Sequence, residues 1–500
     1  VTALARAIAR PDPVAGFGDR SPLHGLERRR IGVIDLAAQS VAAVAPAAAA
    51  TTVVLLVAGL APGATVAAIV AAAILSLGVA RTVSQFARRF AATGALYTYT
   101  ARGLGARAGL AAGAAILTGY GAVAMFALLG GAYYATYLVA GLWPSVDRAL
   151  VTALLVVGQG VLVAFVLVRG IRISARAALV VETLSVALIA ILLVVLLVKI
   201  GPIDLTAVAG LGVATTIEPT AFAAGAVIAL TAFVGFESAA TLSVESVSPL
   251  RNVPRAITGT VVLSGLLYVL AAVTQVAGFD ALGADLAASA SPVNELAEAY
   301  GLGGWGVVAD LGITASFLAC AIGSTTALVR VLFALSRDGV LPPAVGRAHR
   351  RFGTPATAVA WALPVIAAVP VAVGAAGIDT RAAMHITIGV GAAGYIVAYI
   401  LVCVAAPFFL RRIGELTAGA TVIAGVSALA LAAALVSFFV DDAAAGGAVL
   451  LAVAALAVVA TIVIVVLRRR HGPGALGAYD EPVAAQVLGG VVSPRHPDDA

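Results

Sequence analysis

The sequence predicts an all-α integral membrane protein with twelve transmembrane helices. Ten form a 5+5 inverted repeat and two extra helices follow at the C-terminal end. Three observations predict this. The 500 residues are 62% hydrophobic and only 11% charged, with mean hydropathy +1.09, whereas soluble domains run near 25% charged. Long apolar runs alternate with short polar loops whose arginines fall on one side. Two of the runs are interrupted, and they lie five apart.

A bilayer core of about 30 Å needs roughly 20 apolar residues per helix. Runs of that kind lie at 35–60, 64–86, 107–139, 149–168, 177–200, 222–243, 256–278, 305–334, 357–376, 384–408, 418–440 and 446–467. A soluble lipid carrier would need far more polar helix faces. Residues 1–30 and 469–500 are polar and hold prolines, so both are expected to be disordered cytoplasmic tails. Residues 31–410 are then the ten-helix core, and 411–468 carry the last two spans.

Charge sets the orientation. With the N-terminus in the cytoplasm, Arg28–Arg30, Arg88, Arg89, Arg102, Arg107, Arg169, Arg251, Arg255, Arg337, Arg411 and Arg412 all fall inside. Arg148, Lys199 and Arg381 fall outside. This is the positive-inside pattern of a multi-pass protein of the cytoplasmic membrane with both ends in the cytoplasm. It also removes nucleic acid as a partner, since the net charge of +6 is spread over one membrane face. Cys320 and Cys403 sit in apolar runs and offer neither a disulfide framework nor a metal site. No cofactor and no obligatory protein partner are expected.

Few ionisable groups lie inside spans: Glu182, Glu237, Asp310, Arg330 and His385. Facing lipid would cost each a few kcal/mol, on the order of 2.5–3.5. Arg330 is close enough to the inner face to snorkel, and Glu182 could pair with an arginine on the cytoplasmic side. Span one reads SVAAVAPAAAA, with Pro46 at its middle; span six reads AFVGFESAA, with Gly235 at its middle. Broken backbone at membrane depth is tolerated where it lines a cavity or is buried in protein. Breaks at corresponding places in two halves point to a transporter's binding site. A repeat of five spans must be inverted, because five is odd.

The stretch FVGFESAATLSVESVSPLRNVPRAI (233–257) resembles the span-six signature of the amino acid–polyamine–organocation permeases. TGALYTYTARGLG (93–105) resembles the loop after their second span. SPVNELAEAYG (291–301) and VRVLFALSRDGVLP (329–342) resemble an outer loop and the inner end of span eight. The resemblance covers most of 31–410. It implies a LeuT-type fold and secondary transport of amino acids by alternating access across the lipid bilayer, without enzymatic activity. The alternatives are an amino acid exchanger, a polyamine or organic-cation carrier, or a sodium-coupled symporter.

By that likeness the substrate binds at Ser40, Ala43, Val44, Ala45, Pro46 and Ala47 of span one. Phe233, Val234, Gly235, Phe236, Glu237 and Ser238 of span six complete the site, and Tyr120 faces it. Phe233 or Phe236 would be the aromatic lid. Glu237 either bridges the broken helix or responds to protons. The coupling ion is H+ or Na+, with Glu237, Glu182 and Ser316 as candidates. Two departures stand out. The family's glycine-rich GIGxGIF run is here VAAVAPAAA, and the span-five lysine of sodium-independent members is absent, with Ser185 at its place. Pro249 and Pro254 are expected to end helices, with Arg251 and Arg255 marking the cytoplasmic face.

Overall fold

The computed structural model describes residues 21–204, 208, 218–289, 291–471 and 476–481. Among them every regular element is a helix, apart from one isolated parallel bridge between Ile31 and Ser246. Span one is two helices, α1 (Val33–Val44) and α2 (Pro46–Leu60). There follow α3 (Thr65–Ala87), the short α4 (Leu96–Leu104), α5 (Ala106–Leu142), α6 (Arg148–Arg169) and α7 (Ile171–Ile200). Span six is α8 (Pro219–Thr231), a four-residue break and a 3-10 helix (Phe236–Glu245). The rest are α9 (Pro249–Leu282), the short α10 (Pro292–Ala299), α11 (Trp305–Arg337), α12 (Ala356–Ala375), α13 (Thr380–Arg412), α14 (Ala418–Ala444) and α15 (Ala448–His471).

Among the described residues, eleven spans are long and apolar enough to cross a bilayer, and α15 carries a twelfth, shorter apolar stretch, Ala448–Ala460. Their outward faces are apolar. Leu154 and Phe165 on α6, Leu184 and Val198 on α7, Leu266 on α9 and Leu429 on α14 are all exposed. A belt of that kind is stable only with lipid as the solvent. The interior is built on α5, which packs along both α11 and α13. Small residues permit this closeness: a Cβ on Gly394 of α13 would lie 2.6 Å from the Ala115 carbonyl oxygen of α5.

Both breaks have a local cause. Pro46 has no N–H and begins a helix readily, so the chain turns at Ala45, which takes a left-handed conformation (φ 52, ψ 60). Only this one alanine pays the cost of that conformation, about 1–2 kcal/mol, so the break forms without the family's glycines. In span six the turn falls on Gly235 (φ 102). Pro249 does not end a helix: it opens α9 at its first position, where a missing N–H costs nothing. Pro254 lies inside the same helix, within two turns of its start.

The Arg-rich end is closed by several layers. The lead into span one runs beside the end of the 3-10 helix: Arg30 and Ile31 N–H donate to the Glu245 carbonyl (2.6 and 3.0 Å), and Val247 N–H to the Ile31 carbonyl (2.9 Å). Over this lies Leu476–Glu481, which the sequence alone places in a tail. Asp480 accepts from Ser21 (2.8 Å), Arg28 (2.5 Å) and Arg29 (2.9 Å). Asp338, just past α11, accepts from the backbone of Gly477 (2.8 Å) and Ala478 (3.1 Å) and from the Tyr97 hydroxyl (2.6 Å). Burial pushes the Asp338 carboxyl above its ordinary range, and these hydrogen bonds hold it back. The Arg102 guanidinium lies over the Tyr479 ring at 4.5 Å. Asp480→Ala is expected to speed proteolytic removal of the segment roughly fivefold, about 1 kcal/mol for a partly exposed ion pair. Cleavage at the rate of the parent protein would show that Asp480 does not hold it.

Candidate binding site between the broken helices

The two breaks meet at mid-depth. The Ala43 backbone is held between two glycines: a Cβ on Gly235 would lie 2.9 Å from the Ala43 carbonyl oxygen, and one on Gly323 of α11 would lie 2.6 Å from the Ala43 nitrogen. Side chains lace the breaks together. Ser40 Oγ donates to the Phe236 carbonyl, Ser238 Oγ to the Gln39 carbonyl (3.3 Å), and Gln39 Nε2 to the Gly323 carbonyl (2.7 Å).

Glu237 is fully buried and both its oxygens are used. Tyr120 of α5 donates to Oε1 (2.7 Å), and Tyr399 of α13 donates to Oε2. It therefore ties the broken turn of span six to the two scaffold helices. Glu182 of α7 is buried too, and among the described residues it meets no arginine. Its Oε1 accepts from the Ala47 N–H (3.3 Å) and from Ser316 Oγ (2.9 Å), while Ser316 Oγ also accepts from the Ala48 N–H (3.3 Å). The hydroxyl placed on span eight as a sodium ligand is thus engaged with span five and the start of α2.

A cavity of about 550 Å³ runs from the breaks toward the C-terminal end of α2 and the N-terminal end of α13, away from the Arg-rich face. Ala43, Val44, Ala45 and Ala48 of span one and Thr231, Ala232 and Val234 of span six form part of its lining. The rest of the wall is mainly apolar, with Val123 and Phe126 of α5, Phe317 and Cys320 of α11 and Ile388 of α13; Tyr133, Arg381 and His385 also line it. Of the residues assigned to substrate from the sequence, Ala43, Val44, Ala45 and Val234 line this cavity. Ser40, Pro46, Ala47, Gly235, Phe236, Glu237, Ser238 and Tyr120 do not; they support its floor from behind. Neither aromatic expected as a lid, Phe233 or Phe236, lines the cavity. Phe233 packs edge-on against Tyr268 at 5.0 Å, and Phe236 stacks on Tyr399 at 5.3 Å.

Arg330 does not snorkel. It is buried (2% exposed) and forms a two-point pair with Glu245, Nη2 to Oε1 at 2.8 Å and Nε to Oε2 at 3.1 Å. Nothing in the sequence pairs Glu245 with Arg330. The one signal for Glu245 is that it is the second glutamate of the 233–257 stretch.

A model of the amino acid permease family matches residues 35–468. The chain belongs to the amino acid permease family. It is a member of the amino acid–polyamine–organocation superfamily with the LeuT-type fold. The permease is 34% identical over 140 residues to the branched-chain amino acid permease BcaP of Lactococcus lactis subsp. cremoris (strain MG1363), a match spanning 28% of this chain and 29% of that protein. Against BcaP of Bacillus subtilis (strain 168) it is 27% identical over 314 residues, or 59% and 64% of the two chains. An uncharacterised transporter of Mycobacterium tuberculosis (strain ATCC 25618 / H37Rv) is 30% identical over 389 residues, 74% of this chain and 78% of that one. The permease thus spans under a third of the Lactococcus relative and under two thirds of the Bacillus one in these matches. Among solved structures it is similar in fold to MhsT in complex with L-phenylalanine, with TM-score 0.53 and 15% identity, covering 83% of this chain and 100% of that one.

Proposed function

We propose that this permease carries amino acids with apolar side chains across the cell membrane by alternating access, coupled to protons, with both ends of the chain in the cytoplasm. The observation that carries the reading is the cavity whose lining includes both helix breaks. Broken helices present backbone donors to a carboxylate and backbone carbonyls to an ammonium. The apolar wall of Val123, Phe126, Phe317 and Ile388 suits a branched or aromatic side chain. Two relatives are named as branched-chain amino acid permeases. The arginine bias supports the orientation. Among the described residues no Asp or Glu lines the cavity, which disfavours a polyamine or organic-cation carrier.

The test is uptake of labelled leucine, valine, phenylalanine and putrescine into proteoliposomes under a proton gradient, a sodium gradient or neither. Uptake of the apolar amino acids under the proton gradient alone is expected. Uptake of putrescine but of no amino acid would overturn the reading, and a strict sodium requirement would overturn the coupling. Glu237 serves here as a bridge and not as the proton carrier. Glu237→Gln is expected to slow uptake about tenfold, the equivalent of one weakened buried hydrogen bond of about 1.4 kcal/mol, with the pH profile unchanged. A shifted profile at normal surface abundance would make Glu237 the carrier instead.

A further inference from the structure

The first turn of a helix carries unpaired N–H groups and a partial positive charge, and so attracts an anion. At the start of α2 those donors are already taken. Pro46 has none. The Ala47 N–H donates to Glu182 Oε1 and the Ala48 N–H to Ser316 Oγ, both at 3.3 Å. The Ala49 N–H is bonded to the Ala45 carbonyl at 3.0 Å. Ser316 Oγ donates in turn to Glu182 Oε1 at 2.9 Å, so one carboxylate oxygen holds the Ala47 donor directly and the Ala48 donor through the hydroxyl. The other oxygen, Oε2, is buried and has no hydrogen-bond partner among the described residues. Glu182 reaches this turn from α7, behind the wall that Ala45 and Ala48 present to the cavity.

We propose that Glu182 is a resident stand-in for the substrate's carboxylate: between substrates it holds the Ala47 N–H directly and the Ala48 N–H through Ser316, and it takes up the coupling proton when a substrate carboxylate displaces it. This inference rests on the amino acid reading above. A substrate carboxylate that takes the Ala47 N–H leaves Glu182 beside it, and the two anions repel each other. A displaced carboxylate in the interior, without partners, is relieved by becoming neutral. One proton from the bathing solution then binds Glu182 while the substrate's carboxylate remains an anion, and the proton leaves when Glu182 regains its donors. One zwitterion and one proton therefore move together.

The surroundings leave that role to Glu182. The titratable side chains facing it are Tyr268 of α9 and Cys320 of α11. The Tyr268 hydroxyl is committed to the Ala232 carbonyl (2.7 Å) and the Cys320 thiol to the Ala43 carbonyl (3.4 Å). The other packed helices, α1, α2, α6 and α10, bring no charged group against it. Among the described residues it forms no ion pair with an arginine, lysine or histidine. Glu237, by contrast, has both oxygens bonded to tyrosine hydroxyls and touches no donor of α2.

The experiment is calorimetric titration of the purified permease in buffers of different ionisation heat, which counts protons taken up on binding. Leucine is expected to bring in close to one proton per molecule bound. Leucinamide, which lacks the carboxylate, is titrated at about pH 6, where its amino group is already protonated, and is expected to bind with none. Glu182→Gln is expected to bind leucine with no proton uptake and with an affinity that no longer varies with pH. If that variant does not fold, the comparison of leucine with leucinamide on the parent protein decides the matter alone. Leucine binding without proton uptake, equal uptake with leucinamide, or undiminished uptake in Glu182→Gln would each overturn the proposal. Failure of the parent protein to bind any apolar amino acid is a separate outcome, which overturns the substrate reading and this inference with it.

Discussion

Arg330→Met is expected to destabilise the protein by about 3–5 kcal/mol, because it strands a buried glutamate without its partner. Glu245 is fully buried and receives two hydrogen bonds from the guanidinium. The same guanidinium donates to the Thr326 carbonyl at 3.3 Å, so its own helix also loses a contact. Joining Arg330→Met with Glu245→Leu removes both charges and is expected to recover most of the loss, since a packed apolar pair is often as stable as a buried ion pair. Unfolding by titration with a denaturing detergent measures the parent protein and both variants. A single substitution costing under about 1 kcal/mol, the range of a solvent-exposed pair, would show that water reaches this site. A double variant no better than the single one would assign the loss to packing and not to charge.

The second large effect is expected at Gly235. Gly235→Ala should reduce substrate binding and transport more than tenfold while the protein still reaches the membrane. Two causes act together. Its φ of 102 lies where side-chain-bearing residues are strained, at a cost of about 1–3 kcal/mol. The added carbon would also stand 2.9 Å from the Ala43 carbonyl oxygen, pushing one break off the other. Because this contact is between backbones, no rotamer can relieve it. Leucine binding to the purified variant, compared with its abundance in the membrane fraction, separates the two readouts. Normal binding would remove the break of span six from the site.

The spans, their number and both interruptions were legible because each rests on local properties: apolar length, a proline, a glycine. The arginine bias was legible because it is summed over many loops. What the sequence withheld is what depends on contacts between distant residues. Glu245 and Arg330 are 85 positions apart, and no spacing connects them. The cavity wall was hidden for another reason: helices such as α5 and α11 are apolar nearly all round, so periodicity cannot say that Phe126 and Phe317 face inward. The residues singled out around the breaks are therefore mixed. Some line the cavity, and others, Glu237 and Tyr120 among them, hold its floor in place. Glu182 stands out in the sequence as a charge in an apolar helix, but its position against the Ala47 N–H and Ser316 depends on three helices packed together.

The clasp at Asp480 has a consequence for biogenesis. It joins that residue to Arg28 across 452 positions of chain. A membrane protein is threaded in order from its N-terminus, so the lead into span one emerges long before its partner exists. Until the last span has been inserted, Arg28 and Arg29 lack this carboxylate, and the backbone of Gly477 and Ala478 has not yet reached Asp338. The Arg-rich face is thus finished last. A chain truncated or stalled within α15 would present that face unlatched, to the quality-control proteases that sample incomplete membrane proteins.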